Sequence, residues 1–256
     1  MEEEEQMNRL AGKVAIVTGG SQGIGLAIAR AFARDGAAVV ISSRRADAIE
    51  EAARLLESEG AQVVGVQADV ADRDDVKRTI AAAVERFGRI DILVNNAQAT
   101  RQAKIEDITD DSIALTFGSG LFGTLYHMQA AFPYLRERGG TVINFGTRQG
   151  IYGEPGDGIY GANKEGIRGL SRSAAREWGQ FGIRVNVINP AALSPSAEQA
   201  LDANPERAQK YYDEISLRRF GRPDEDIAPI AVFLASDDGH YVTGQTINAD
   251  GGQIML

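Results

Sequence analysis

Short apolar runs recur along this chain, each followed by a stretch at helical spacing, and that alternation limits the possible folds more than any other feature. The runs lie at 13–18, 38–42, 62–67, 91–95, 141–145, 184–188 and 246–249. Helical stretches are expected at 26–35, 46–60, 73–87, 110–136, from about 160 to 179, and at 224–235. A strand apolar along its whole length is buried on both faces. Strict strand–helix alternation joins such strands in parallel, with the helices as crossovers. The expectation is one domain built on a parallel sheet of about seven strands, covered by helices on both faces. Sheets of this kind hold ligands at the carboxyl ends of their strands. Thr18, Asn95, Thr147 and Pro190 stand at or just beyond such ends and are candidate site positions.

The turn after the first run reads Thr18-Gly19-Gly20-Ser21-Gln22-Gly23-Ile24-Gly25. Gly19 permits a tight turn, Gly23 lets the backbone approach a pyrophosphate, and Gly25 allows close packing of helix on strand. The helix that follows offers free N–H groups and a positive dipole end to phosphates. A glycine-rich turn alone says little, but between a strand and a helix it points to a bound nucleotide.

A second constellation spans 144–164. Tyr160 and Lys164 are four apart on an expected helix and so share one face. A phenol titrates near ~10, and an ammonium beside it is expected to lower that value and tune the phenol for proton transfer. Thr147, just past the run at 141–145, offers a hydroxyl to hold a substrate oxygen near the phenol. The spacing by itself arises often by chance; its place after a strand end gives it weight.

The cofactor class is expected from Ser42-Ser43-Arg44-Arg45, after the second run. In a sheet of this type an acidic residue there bonds the free ribose 2′-hydroxyl of NAD, whereas arginine pairs with the 2′-phosphate of NADP. No carboxylate stands between the run and Ala46, and Ser43, Arg44 and Arg45 present hydroxyl and guanidinium donors instead. Arginine opposes the dipole at a helix start, so the placement gains nothing locally. NADP(H) is favoured over NAD(H).

Other chemistries are narrowed by composition. The chain has no cysteine and only two histidines, His127 and His240, so no metal site is expected. A formal charge of −9 disfavours nucleic acid or an anionic membrane as partner. No stretch approaches the ~20 apolar residues of a membrane span. Residues 1–9 read as a frayed acidic tail rather than a targeting segment, and a cytoplasmic location is expected.

Taken jointly, Thr18-Gly19-x-x-x-Gly23-x-Gly25, Asn95-Asn96-Ala97, Tyr160-x-x-x-Lys164 and Asp250-Gly251-Gly252 resemble the short-chain dehydrogenase/reductase family, over nearly the whole chain from about Leu10. The resemblance implies a single-domain, Rossmann-like, three-layer α/β/α sandwich over 10–256, with a substrate flap near 191–219. It implies a hydride-transferring enzyme that interconverts a ketone and a secondary alcohol. Tyr160 would exchange the proton, Lys164 would tune it and bond the nicotinamide ribose, and Thr147 stands where the family has serine. Asp69 would contact the adenine. Ser21, Gln22, Ile24, Val70, Asn96, Ala97, Pro190, Ala191, Leu193 and Ser194 would complete the cofactor contacts. Asn95 matches a strand-end asparagine supporting the cleft.

The small-residue stripe Ala162, Gly166, Gly169 and Ser173 implies close helix approach across a subunit interface, and a homotetramer is the expected assembly. Trp178, Phe181 and Tyr126 read as packing residues. The family pattern is broken at Gln98 and Ala191, and at Gly120, which matches an asparagine of a water relay to the lysine. A backbone-held water or another side chain is expected to serve there. These departures motivate a second reading, a catalytically weak dinucleotide-binding protein acting through its assembly or a partner. The substrate is left open.

Overall fold

The computed structural model describes residues 8–192 and 205–255. The chain runs β1 (Val14–Thr18), α1 (Gly23–Arg34), β2 (Ala38–Ser43), α2 (Ala46–Ser58), β3 (Val63–Gln67), α3 (Arg73–Phe87) and β4 (Ile92–Asn95). It continues through α4 (Asp110–Phe117), a π turn (Gly118–Phe122), α5 (Gly123–Arg138), β5 (Gly140–Phe145), α6 (Arg148–Tyr152) and α7 (Gly158–Trp178). β6 (Ile183–Pro190), α8 (Pro205–Glu214), a second π turn (Pro223–Ile227), α9 (Ala228–Ala235) and β7 (Thr246–Ala249) complete it. The seven strands form one sheet in the order β3-β2-β1-β4-β5-β6-β7. Every neighbouring pair is parallel. The chain winds outward from β1 in both directions, so the crevice at the carboxyl ends of β1 and β4 is the switch point where such sheets bind ligands.

Each face of the sheet carries its own core. On one, Ile28 and Phe32 of α1, Ile49 and Leu56 of α2, and Ala231 and Leu234 of α9 cluster with Val17, Ile41, Val94 and Ile143. On the other, Ile80 of α3, Met128 and Leu135 of α5, and Ala174 of α7 cluster with Ile16, Val40, Leu93, Val142 and Val185. Fully burying one such side chain stabilises the fold by about 1.5–3 kcal/mol, which is why these strands tolerate apolar residues on both faces. Two pairs of asparagines interrupt the apolar surface. Asn95 lies opposite Asn144 and donates to its Oδ1 at 2.8 Å; Asn189 lies opposite Asn248 and donates likewise at 3.0 Å. Asn144 in turn donates to the Ser171 hydroxyl of α7 at 2.9 Å.

Several expected boundaries move, each for a local reason. β4 begins at Ile92 because the Asp91 carboxylate accepts from the Val14 N–H at 2.8 Å and pairs with Arg89. The span at 110–136 is two helices separated by the π turn, in which the Gly123 N–H reaches back to the Gly118 carbonyl. Glycines at 118 and 120 hold a helix weakly, so a one-residue insertion in the spiral is tolerated there. The span at 224–235 likewise divides into the second π turn and α9. α6 is not expected as a separate helix, whereas α8 falls within the span read as a flap. Arg9, read as tail, is anchored by its guanidinium on Asp35 at 2.9 Å. Of the flap reading, 193–204 lies outside the described residues, as do residues 1–7 of the tail.

His127 of α5 is 1% exposed. Its Nδ1 stands 2.9 Å from the Gly123 carbonyl, and Nε2 is buried with no partner among the described residues. The Gly123 carbonyl can only accept, so the neutral ring carries its proton on Nδ1. Burial lowers its pKa to about 4. Among the described residues no helix is long and apolar enough to cross a membrane.

Candidate active site

The turn after β1 is stitched to the end of β4. The Thr18 hydroxyl accepts from the backbone N–H groups of Asn96 and Ala97 at 3.0 and 3.1 Å, and the Asn96 amide donates to the Thr18 and Gly19 carbonyls at 3.0 and 3.2 Å. Gly19 sits at φ +66°, where a Cβ would stand 2.8 Å from Asn96 Nδ2. A Cβ on Gly25 would stand 2.3 Å from the Gly19 carbonyl. Gly23, at φ +55°, opens α1, and no side chain caps that helix. Its first N–H groups are thus left for a ligand.

A cavity of about 570 Å³ adjoins the turn. Gly19, Ser21, Gln22, Gly23 and Ile24 form one wall; Ser42, Ser43, Arg44, Asp69 and Val70 form another; Asn96, Ala97, Gln98 and Tyr160 close it. Ser42 Oγ is buried with no hydrogen-bond partner among the described residues. The Asp69 carboxylate already accepts from the Ala71 N–H at 2.9 Å. Arg44 lines the cavity and forms no ion pair among the described residues. Arg45 does not line it; its guanidinium stands 3.7 Å from Asp47. A glycine cradle that a Cβ would fill, an orphaned hydroxyl and an uncommitted arginine fit a phosphate-bearing dinucleotide. Ala191 lies beyond β6, its N–H on the Ala249 carbonyl at 3.0 Å, and Leu193 and Ser194 lie outside the described residues.

The phenol, the ammonium and the hydroxyl come together as the spacing implied. Thr147, just past β5, is buried and bonds Gln149 Oε1. Lys164 is 3% exposed and donates to the Phe145 carbonyl at 3.0 Å. Burial alone lowers the Lys164 pKa to about 8. Burial pushes the Tyr160 phenol above its ordinary value; the neighbouring Thr147 hydroxyl opposes the rise and the Asp157 carboxylate adds to it. This corrects the expectation that the lysine lowers the phenol. The ammonium stands 5.8 Å from the ring centroid, and burial of the phenol sets the direction of its shift. At neutral pH the pair is a cationic lysine beside a neutral phenol.

Asn95 does not line the cavity and instead reaches Asn144. The place opposite Gly120 is filled by a side chain that the spacing argument passed over, Asn163, between the phenol and the ammonium. A Cβ at 120 would stand 2.2 Å from Asn163 Nδ2 and 2.5 Å from Gln98 Oε1. The available signal was the missing asparagine in 110–136 together with an amide three residues after Tyr160, on the same helix face. Of the small-residue stripe, Gly166 packs within the chain: a Cβ there would meet Leu121 at 3.0 Å. Gly169 faces open space.

A parallel sheet of this order, with a glycine cradle at its switch point and a phenol and ammonium on one helix, defines a Rossmann-like oxidoreductase acting on CH–OH/C=O groups. A family model described as enoyl-(acyl carrier protein) reductase matches residues 19–253. The 12α-hydroxysteroid dehydrogenase of a Clostridium species is 41% identical over 252 residues, covering 94% of this chain and 96% of that one. The 3-oxoacyl-(acyl-carrier-protein) reductase of Thermotoga maritima is 35% identical over 249 residues, 96% of this chain and 100% of its own. A crystal structure assigned as a short-chain alcohol dehydrogenase from Sinorhizobium meliloti 1021 superposes with a TM-score of 0.91 at 34% identity, covering 96% and 98% of the two chains. The chain belongs to the short-chain dehydrogenase/reductase family.

Proposed function

We propose that this protein is an NADP(H)-dependent oxidoreductase that interconverts a ketone and a secondary alcohol, with Tyr160 as proton donor and acceptor. One observation carries the reading: Tyr160 lines the same cavity as the glycine turn, on one helix with the buried Lys164. A carbonyl oxygen placed between the Tyr160 and Thr147 hydroxyls would be held and protonated at one point. The nicotinamide, when bound, supplies or accepts the hydride. The glycine turn would hold the pyrophosphate, Asp69 and Val70 would flank the adenine, and Ser43 and Arg44 would reach the 2′-phosphate. A neutral phenol suits donation, the direction of carbonyl reduction, and the buried ammonium would stabilise the phenolate that remains. The names of two relatives, a 12α-hydroxysteroid dehydrogenase and a 3-oxoacyl-(acyl-carrier-protein) reductase, point to an alcohol substrate in one and a ketone substrate in the other. The reading includes one domain over 10–256, a flap near 191–219 closing over substrate, a cytoplasmic setting and a homotetramer. Exposed Phe122, stacked on Tyr126 at 6.4 Å, supports an assembly surface.

The test is Tyr160→Phe. It should lower kcat by about 10²-fold or more, while NADPH affinity, read by cofactor fluorescence, changes little. Turnover within a few-fold of wild type would remove Tyr160 from the chemistry.

A further inference from the structure

The Gly120 position carries a second amide chain that neither the glycine nor its neighbours explain alone. Asn163 is fully buried. Its Oδ1 accepts from the Leu121 N–H at 2.8 Å, and its Nδ2 donates to Gln98 Oε1 at 2.9 Å. Gln98 Nε2 then donates to the Ala99 carbonyl at 2.8 Å and the Thr116 carbonyl at 3.2 Å. The chain has one possible polarity. The Leu121 N–H can only donate, so the Asn163 oxygen must face it, and every later group follows; the carbonyls at the far end can only accept. Turning either amide over would set donor against donor or acceptor against acceptor inside the protein. A buried network satisfied at every member holds its backbone segments rigidly. Here those segments are the loop after β4, the end of α4, the π turn and the catalytic helix.

The neighbouring lysine gives the arrangement its use. A lysine ammonium has three N–H groups, and in Lys164 one is committed to the Phe145 carbonyl. Asn163 is the residue before it on α7, so whatever locks Asn163 locks the start of the Lys164 side chain. A Cβ at 120 would overlap the Asn163 amide, so glycine at 120 and asparagine at 163 are one choice made at two positions. We propose that Asn163 and Gln98 are positioning residues that do the work of an asparagine at position 120: their paired amides fix the π turn against α7 and hold Lys164 in its relay geometry. The amide enters the same space from the opposite helix. This rests on the oxidoreductase reading above.

The test uses the full chain with NADPH, and an acetoacetyl thioester and a decalone as probe ketones. Asn163→Ala should lower kcat at least about tenfold, with KM and NADPH affinity within about threefold of wild type, and Leu121 should lose amide hydrogen-exchange protection. Gln98→Ala, in a loop outside the helices, should show the same split to a smaller degree. Gly120→Asn alone should fail for want of room, and Gly120→Asn combined with Asn163→Ala should recover both kcat and Leu121 protection. Unchanged kcat in Asn163→Ala and Gln98→Ala would overturn the proposal. So would equal losses in kcat and NADPH affinity with no recovery in the combined variant. A wild type that binds NADPH but reduces neither probe would instead remove the oxidoreductase reading, and this proposal with it.

Discussion

Acid should weaken this protein through a single buried imidazole. His127 has its Nδ1 proton on the Gly123 carbonyl and its Nε2 buried with no partner among the described residues, so charging the ring adds a second buried N–H that none of them accepts. Its pKa falls from 6.5 in the unfolded chain to about 4 in the folded one. The folded value is depressed, so between the two the unfolded chain binds a proton that the folded chain refuses, and stability drops as pH falls through this window. The whole displacement is worth about 3 kcal/mol, of which about 2 kcal/mol is reached by pH 5. That is a large share of the 5–15 kcal/mol typical of a folded domain. Replacing the ring by His127→Gln keeps an N–H for Gly123 and removes the titration. Urea unfolding of both proteins at pH 7 and pH 5, at one fixed protein concentration, isolates the effect, because the carboxylate contributions are common to both. The variant should begin less stable at pH 7, for its packing is imperfect, and lose about 2 kcal/mol less than wild type on acidification. Equal losses would refute the reasoning, as would a resonance assigned to the His127 ring titrating near 6.5 in the folded protein.

Two more outcomes follow from the cofactor cavity. Arg44→Asp should erode or reverse the preference for NADP(H), by roughly 10- to 100-fold in the ratio of kcat/KM values, the worth of one charge-assisted phosphate contact; a wild type that already prefers NAD(H) would contradict the assignment. Gly25→Ala should cost about 1–3 kcal/mol and weaken cofactor binding, since its Cβ meets the Gly19 carbonyl at 2.3 Å, backbone that cannot swing aside. A melting temperature and an NADPH dissociation constant both unchanged would show that the turn has slack it lacks in this geometry.

Most of the sheet was legible because its strands announce themselves locally. VAIVT and ILVN are buried at every position, and no other arrangement hides them. The glycine turn and the Tyr160–Lys164 pair were legible for a similar reason, since their spacing lies within one helix or one turn. What escaped depends on contacts made at a distance. Gly118 and Gly120 break the long helix only in company with Asn163, 42 residues from the Leu121 N–H that it accepts from. The proton balance at Tyr160 is not legible in the sequence, because charge proximity shows there and desolvation does not. Asp91 looked like the start of a strand, and its carboxylate proved to be the partner of a backbone N–H in β1. Arg44 and Arg45 looked equivalent, and only the turn into α2 sends one to the cavity and the other to Asp47.

The paired asparagines across β4–β5 and β6–β7 have a consequence for how the chain avoids mistakes while folding. A sheet apolar on both faces is nearly indifferent to sliding: shift a Val/Ile strand by two positions and each side chain keeps its face and finds a similar neighbour. Amides are not interchangeable in that way. A slipped β5 would carry Asn144 away from both Asn95 and Ser171, leaving several buried donors and acceptors unpaired at about 1–3 kcal/mol each. The correct alignment therefore stands apart from its near neighbours by a gap that valine and isoleucine alone would not provide. The amides thus act as a check on register, because each misaligned sheet is the less stable one.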